Sequence, residues 1–135
     1  MSGPRIVHVA LADDWEGCRR FGEYDVATVA TSFDDIGYIH ASTSTHLPVV
    51  LEQPYGQVKL PLLLIVLDEQ SLAAAGIDIS WRTDGSAERG PRILSPFPME
   101  APIVVETIEL DYQDGGWVTP DLAGFAVREN APGSL

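Results

Sequence analysis

Two side chains capable of chemistry lie two positions apart, the imidazole of His40 and the hydroxyl of Ser42. Tyr38 and Ile39 favour a strand at this point, and Gly37 permits the turn that would precede it. Alternate side chains on a strand point to the same face, so we expect His40 and Ser42 to lie together. Imidazole titrates near neutral pH and can serve as a hydrogen-bond donor, an acceptor or a general base.

A second imidazole, that of His8, interrupts the apolar run Ile6 to Leu11, which indicates a buried strand. One interpretation is a hydrogen-bonded core histidine, since buried polar groups normally have partners. The functional interpretation is that His8 shares a site with His40, and we take both as candidate catalytic residues. Ser42 has an alternative role as a capping or turn residue. A Ser–His nucleophile has little support, because the chain lacks a Gly-x-Ser-x-Gly elbow.

Two arginines are notable because basic residues are scarce. The chain has eight Lys and Arg against twenty Asp and Glu, a formal net charge of −12. If Arg82 and Arg92 point into one cleft, they form a cationic spot that can bind phosphate or carboxylate through paired hydrogen bonds. Their alternative role is a surface ion pair with acidic neighbours such as Asp84 and Glu88.

Aromatic side chains near these positions could stack on a ligand, namely Tyr24, Tyr38 and Trp81. Packing in the core would explain each of them equally well. The candidate ligand-binding residues are therefore Ser42, Arg92, Tyr24 and Tyr38. The three histidines are dispersed and no acidic residues stand at ligand spacing from them, which argues against a zinc site.

Length and composition restrict the class of protein. The 135 residues fit a single domain, residues 1–135, and a hydrophobic content of 45% argues against disorder. An acidic surface repels nucleic-acid phosphates and anionic membranes, and it also aids solubility. The longest apolar run, residues 60–67, is far shorter than the roughly 20 residues of a membrane span. Without a signal-peptide core at the N-terminus, we expect a soluble cytoplasmic protein.

Periodicity and turn residues predict an α+β fold with about five strands and two short helices. The run Val58 to Leu67 is apolar throughout, which predicts a central strand covered on both faces. The stretch 91–102 is rich in proline and is predicted to be irregular. Strands are expected at 6–11, at 38–39, at 58–67, at 78–82 and at 103–110, and helices at 13–20 and 45–53.

The order of these features resembles a bacterial family of unknown function, number 952 among the domains of unknown function. Its members begin with a strand carrying a His, followed by a helix with Trp, a Gly-x-Tyr and a Gly-Phe-Ile-His-x-Ser signature. The matching residues here are His8, Trp15, Gly22-Glu23-Tyr24 and Gly37-Tyr38-Ile39-His40-Ala41-Ser42. The resemblance covers about residues 5–110 and leaves 111–135 as a C-terminal extension.

The second half of the chain departs from the family pattern, which has a Phe-Pro-His-x-Tyr-Gly-Pro-Leu-Pro segment. Here Arg92 stands where the family has its His, and Leu94 stands where it has Tyr. The strand before this loop ends in Trp81-Arg82, where the family often has Trp-Glu. Two polar positions are thus changed to arginine, and the carboxylate of the family's Glu is lost.

The resemblance implies an ADP-ribosyltransferase-like fold, in which two small, mostly antiparallel sheets and two short helices form a cleft. That group includes RNA 2′-phosphotransferases that consume NAD, so NAD is the cofactor that the resemblance implies. The first hypothesis is a degenerate enzyme of this kind that binds a nucleotide-like or phosphorylated small molecule. The alternatives are a non-catalytic metabolite-binding module and a protein-interaction module that uses its acidic surface. The residues themselves do not distinguish an enzyme from a binding protein.

Overall fold

The computed structural model describes residues 4–28, 31–53, 55–81 and 91–129 of the chain. Arg82 lies outside these residues. The helices are α1 (Ala12–Arg19), α2 (Phe33–Ile36), α3 (Leu47–Glu52) and α4 (Glu69–Ala74), with single 3₁₀ turns at Tyr55–Gln57 and Ala123–Phe125. The strands in chain order are β1 (Arg5–Leu11), β2 (Glu23–Tyr24), β3 (Val26–Thr28), β4 (Thr31–Ser32), β5 (Ile39–His40), β6 (Leu62–Asp68), β7 (Ile79–Ser80), β8 (Arg92–Ile93), β9 (Phe97–Pro98), β10 (Val104–Glu109), β11 (Tyr112–Gln113) and β12 (Gly116–Trp117).

Two three-stranded sheets position the candidate site. The large sheet has the order β1-β6-β10 and the small sheet the order β5-β8-β7, with antiparallel neighbours throughout. Three antiparallel strand pairs complete the described part of the chain: β2 with β9, β3 with β4 and β11 with β12. The predicted α+β class is confirmed at this level, with several small antiparallel sheets and few helices.

The central strand β6 is covered on both faces, as its apolar sequence predicted: all of its residues but Leu63 are buried. Within the sheet it lies between two strands, and Leu64 pairs with Val9 of β1 and with Ile108 of β10. The strand begins at Leu62 and not at Val58. The reason is local: Val58 donates its N–H to the Tyr55 carbonyl in a 3₁₀ turn, and proline at position 61 has no N–H for a ladder.

The two faces of the large sheet pack against different partners. One face contributes Ile6, Ala10, Ile65 and Leu67 to a buried cluster that also contains side chains of the small sheet and of β2 and β9. The other face packs against α3, the Tyr55 turn and the C-terminal segment. That second cluster includes Val7, Val9, Leu47, Leu51, Tyr55, Leu62, Leu64, Val66, Leu110 and Leu122.

The proline-rich stretch contains regular structure, so the prediction of an irregular segment over 91–102 is wrong. Arg92–Ile93 and Phe97–Pro98 each form a two-residue strand. Proline is tolerated there because such short strands need few backbone donors, and Pro98 pairs only at a sheet edge. In this way β8 becomes the middle strand of the small sheet.

The C-terminal segment folds back along the outer edge of β1. Val127 forms a parallel bridge with Arg5, and the Arg128 amide donates to the Arg5 carbonyl at 2.8 Å. Earlier in the same segment, the indole Nε1–H of Trp117 donates to the Tyr55 carbonyl at 3.0 Å. None of the helices in the described ranges is long and apolar enough to cross a membrane.

Replacing Leu64 by alanine tests the central role of β6. We expect Leu64→Ala to lower the free energy of unfolding by roughly 2–5 kcal/mol, because it leaves a cavity in a tightly packed interior. Urea unfolding monitored by circular dichroism measures this change. Leu60→Ala is the matched control: Leu60 is 56% exposed, so its truncation should change stability by less than about 0.5 kcal/mol. Equal losses in both variants would contradict the assignment of β6 as the centre of the core.

Candidate functional site

The small sheet has one apolar face and one polar face. Directly opposed residues of an antiparallel pair have their side chains on the same face. Ile93 on β8 opposes Ile39 and Ile79, and these three side chains pack on the core shared with the large sheet. The neighbouring row therefore points the other way. It consists of His40, Arg92 and Ser80, in that order across the three strands.

Tyr38 joins this polar row at its end. The guanidinium carbon of Arg92 lies 4.1 Å from the centroid of the Tyr38 ring. The rings of Tyr38 and His40 meet edge to face, with their centroids 5.5 Å apart. Both these rings, together with Arg92 and Ser80, are half-buried. We call Tyr38, His40, Ser80 and Arg92 the polar face; it presents a cation, an imidazole and hydroxyl groups to one side of the sheet.

His8 approaches the same strand from the opposite side, within the core. It is 1% exposed. Its Nδ1 is hydrogen-bonded to the main-chain carbonyl of His40, and its Nε2 lies 2.8 Å from the Tyr24 hydroxyl oxygen. A carbonyl only accepts, so Nδ1 must carry the proton. In the neutral ring Nε2 is then an acceptor, and the Tyr24 hydroxyl donates to it.

Burial holds both members of this pair in their uncharged forms. It lowers the pKa of His8 from 6.5 to about 4, an effect that the hydrogen bond to the His40 carbonyl only partly offsets. Burial likewise raises the pKa of the Tyr24 phenol well above its usual value. Trp15 and Phe97 pack against the Tyr24 ring at centroid distances of 5.2 and 5.4 Å. At neutral pH the pair is thus a neutral hydrogen-bonded unit inside an aromatic cluster.

Ser42 lies where the strand leaves the small sheet and meets the large one. Its amide donates to the Val7 carbonyl at 2.7 Å, and the Val7 amide donates to the Ser42 carbonyl at 3.0 Å. The residue is 3% exposed. The next residue, Thr43, stabilises the turn that leads into α3: its Oγ1 accepts from the amide of His46, the N-cap residue, at 3.3 Å. Ser42 therefore contributes a main-chain connection between the two sheets.

The structure brings some of the candidate residues together and separates others. His40, Arg92 and Tyr38 share the polar face, whereas His8 and Tyr24 lie behind the same strand in the core. The catalytic roles of His40 and His8, and the ligand-binding roles of Ser42, Arg92, Tyr24 and Tyr38, stay predictions. Sequence reasoning missed Ser80. The alternation in Ile77-Asp78-Ile79-Ser80-Trp81 could have placed Ser80 on the polar side of its strand. The alternation does not show, however, which strand pairs with this one.

Two surface grooves lie elsewhere. One, of about 640 Å³, runs beside the partly buried Arg5–Asp68 ion pair and is bounded by α4 and Pro102. The other, of about 380 Å³, lies under the C-terminal segment between Ser44 and Leu122. Neither is lined by residues of the polar face. Across residues 4–28, 31–53, 55–81 and 91–129, no group of three His, Cys, Asp or Glu side chains is arranged to hold a metal ion.

Comparison with known proteins gives a family and a fold. The family described as "Protein of unknown function (DUF952)" matches residues 9–106. The crystal structure of protein CC0527 from Caulobacter crescentus has a TM-score of 0.66 at 19% identity, covering 89% of this chain and 96% of that one. The crystal structure of a double mutant of CC0527 gives a TM-score of 0.66 at 21% identity, with the same coverage.

The solution structure of CC0527 is also similar, with a TM-score of 0.62 at 19% identity over 89% of this chain and 94% of that one. At these identities the likeness shows a shared fold. A search of the curated proteins finds no match. The further likeness to ADP-ribosyltransferases stays a prediction.

Acidification should destabilise the fold through His8. The unfolded chain binds a proton at this ring below pH 6.5, whereas the folded state does so only near pH 4. The unfolded state therefore holds more protons in this window, so the contribution of His8 to stability is complete above pH 6.5 and declines as the pH falls. We expect a loss of about 3 kcal/mol between pH 7 and pH 4 from this group alone.

Urea unfolding at a series of pH values measures this loss. The His8→Asn variant is the control, because it has no titratable group at this position and should lack this component of the pH dependence. Wild type and variant losing stability in parallel over the window would show that His8 does not carry the effect.

Proposed function

Because the chain belongs to DUF952, a family of proteins of unknown function, we propose its function from the geometry of the polar face: it binds a phosphorylated small molecule there. The observation that supports this proposal is the direct cross-strand pairing of His40 with Arg92, on the face that points away from the core. Arg92 is one of only eight basic residues in a chain with twenty acidic ones.

The residue types in the row suit a phosphate group. An arginine guanidinium can donate two parallel hydrogen bonds to one phosphate, and such charge-assisted bonds are about twice as strong as neutral ones. His40 and Ser80 flank Arg92 on the neighbouring strands, and each offers a further donor. Neighbouring strands lie about 4.8 Å apart, so the three side chains form a continuous row of donors about 10 Å long.

Tyr38 orients the cation in this row. A guanidinium stacked at 4.1 Å over an aromatic ring is attracted by the negative face of that ring. The contact restricts the rotation of a long side chain, so less conformational entropy is lost when a ligand binds. Because the polar face is half-buried, its charge is also screened less than that of a fully exposed arginine.

The enzymatic form of the proposal is a degenerate ADP-ribosyltransferase-like or phosphotransferase-like activity with NAD. Arg92 and His40 suit the diphosphate of NAD or ADP-ribose, and His40 is the imidazole on the polar face that could transfer a proton. The four residues of the polar face include no carboxylate to hold a ribose hydroxyl. The binding proposal therefore does not depend on turnover, and a non-catalytic metabolite-binding module is the other outcome of the experiment.

Isothermal titration calorimetry with inorganic phosphate, ADP-ribose, NAD and nicotinamide tests binding. We expect the phosphate-containing ligands to bind and Arg92→Ala to weaken their affinity by about 10- to 100-fold, the effect of losing charged hydrogen bonds of roughly 1.5–3 kcal/mol. His40→Ala should weaken affinity less. Arg19→Ala is the matched control, because Arg19 is a cation on the exposed face of α1 with a side chain 62% accessible.

Two results would overturn the proposal: the absence of phosphate-ligand binding at millimolar concentration, or equal affinities for wild type and Arg92→Ala. Release of nicotinamide from NAD, abolished in His40→Ala, would support an enzyme. Binding without NAD consumption would support a metabolite-binding module.

A further inference from the structure

The polar face depends on a strand of only two residues. β5 pairs with β8 through Ile39–Ile93 and His40–Arg92, and the chain then passes to the large sheet. A two-residue strand has few ladder hydrogen bonds to define its position. Contacts made outside the small sheet therefore add to the packing of Ile39 beside Ile93 in fixing the alignment of His40 with Arg92.

We propose that His8 is a positioning residue for the polar face, whose Nδ1–H holds the main-chain carbonyl of His40 and thereby sets His40 beside Arg92. The inference rests on the proposed function of that face. His8 reaches the site only through the backbone of β5, since its ring lies in the core and the His40 side chain points the opposite way.

Three successive main-chain groups along this segment are hydrogen-bonded to residues outside it. The His40 carbonyl accepts from His8, the Ala41 amide donates to the Pro91 carbonyl at 3.0 Å, and the Ser42 amide donates to the Val7 carbonyl. Two of these ties lead to β1 and one leads to the residue before β8. The His8 bond is the one made at the residue that carries the candidate ligand-binding side chain.

The Tyr24 hydroxyl favours the tautomer of His8 that can donate to the His40 carbonyl. It donates to His8 Nε2, which leaves Nδ1 as the protonated nitrogen that faces the carbonyl. An aliphatic side chain in place of His8 would fill the core but would remove this donor from a buried carbonyl. The two hydrogen bonds satisfy both nitrogens of this polar ring within a largely apolar cluster. A site whose supporting contacts are loosened by about 1 Å binds or reacts much less well.

Two replacements of His8 separate the proposed role from a general role in stability. Asparagine can place its amide nitrogen near the position of Nδ1 and so keep a donor for the His40 carbonyl. Glutamine reaches the position of Nε2, where its oxygen can accept from Tyr24, but it offers no donor at Nδ1. Both variants remove the titratable ring. A role in stability alone would make the affinity follow the fraction of folded protein in each variant.

The experiment measures inorganic phosphate affinity by calorimetry, at a pH and temperature where unfolding curves show each variant to be folded. We expect His8→Asn to bind phosphate within about 3-fold of wild type. We expect His8→Gln to bind it at least about 10-fold more weakly, because only the glutamine variant lacks a donor for the His40 carbonyl. Equal affinities of the two variants, or a weaker affinity in His8→Asn than in His8→Gln, would overturn the proposal.

Hydrogen exchange distinguishes failure of this inference from failure of the proposed function. If wild type does not bind phosphate, the proposed function is wrong, and the exchange rate of the Ala41 amide still reports on the segment. We expect this rate to rise at least about 10-fold in His8→Gln and to stay close to wild type in His8→Asn. Equal rates in both variants would show that His8 does not position this segment, whatever binds to the polar face.

Discussion

The strand Leu62–Asp68 can be stable only if both of its faces are covered. Its side chains are apolar on both sides, and burying one large aliphatic side chain contributes about 1.5–3 kcal/mol relative to leaving it in water. β1 and β10 satisfy its main-chain groups but leave both faces of the sheet open. One cover is provided by α3 and the C-terminal segment, and the other by the small sheet with its aromatic neighbours.

This requirement also explains where the polar face lies. A sheet that covers a core must point one row of side chains inward, and the small sheet uses three isoleucines for this purpose. Because alternate residues point to opposite faces, His40, Arg92 and Ser80 are then directed outward. The inward row determines which residues face outward, so the polar face is supported by the same hydrophobic contacts that stabilise the fold. His8 adds a hydrogen bond across that core, from its ring on the large sheet to the main-chain carbonyl of His40 in the small sheet.

Local sequence signals predicted several features correctly. The apolar run ending at Leu67 indicated the buried central strand, and Gly37 has a φ of 81°, a conformation that suits the turn expected there. The order and spacing of His8, Trp15, Tyr24 and the residues 37–42 also indicated the correct family, whose model matches residues 9–106. What local signals could not supply was the pairing of distant strands.

Arg92 illustrates the limit. It lies in a proline-rich stretch whose composition favours irregular structure, and it pairs with His40 only because the core requires Ile93 to pack beside Ile39. The same limit applies to His8: an apolar strand alone favours a core position, and only its combination with His40 and Ser42 made a ligand-binding position equally compatible with the sequence. Choosing between them requires knowing which face of β1 meets the small sheet. That face is determined by packing over the whole domain and leaves no signature within residues 6–11.

The net charge of −12 constrains how an anion could be recognised by the polar face. Far from the surface the summed field repels an anion, and at physiological ionic strength this repulsion fades over a Debye length of about 8 Å. At contact the nearest charge dominates, since two unit charges 4 Å apart interact by about 4 kcal/mol at an effective dielectric constant near 20. Recognition would therefore depend on contact geometry and not on long-range steering.

Because a half-buried contact is screened less than the long-range field, added salt should weaken the repulsion more than the contact. On the proposed function, the position of the Arg92 guanidinium beside the Tyr38 ring would then be the main determinant of affinity.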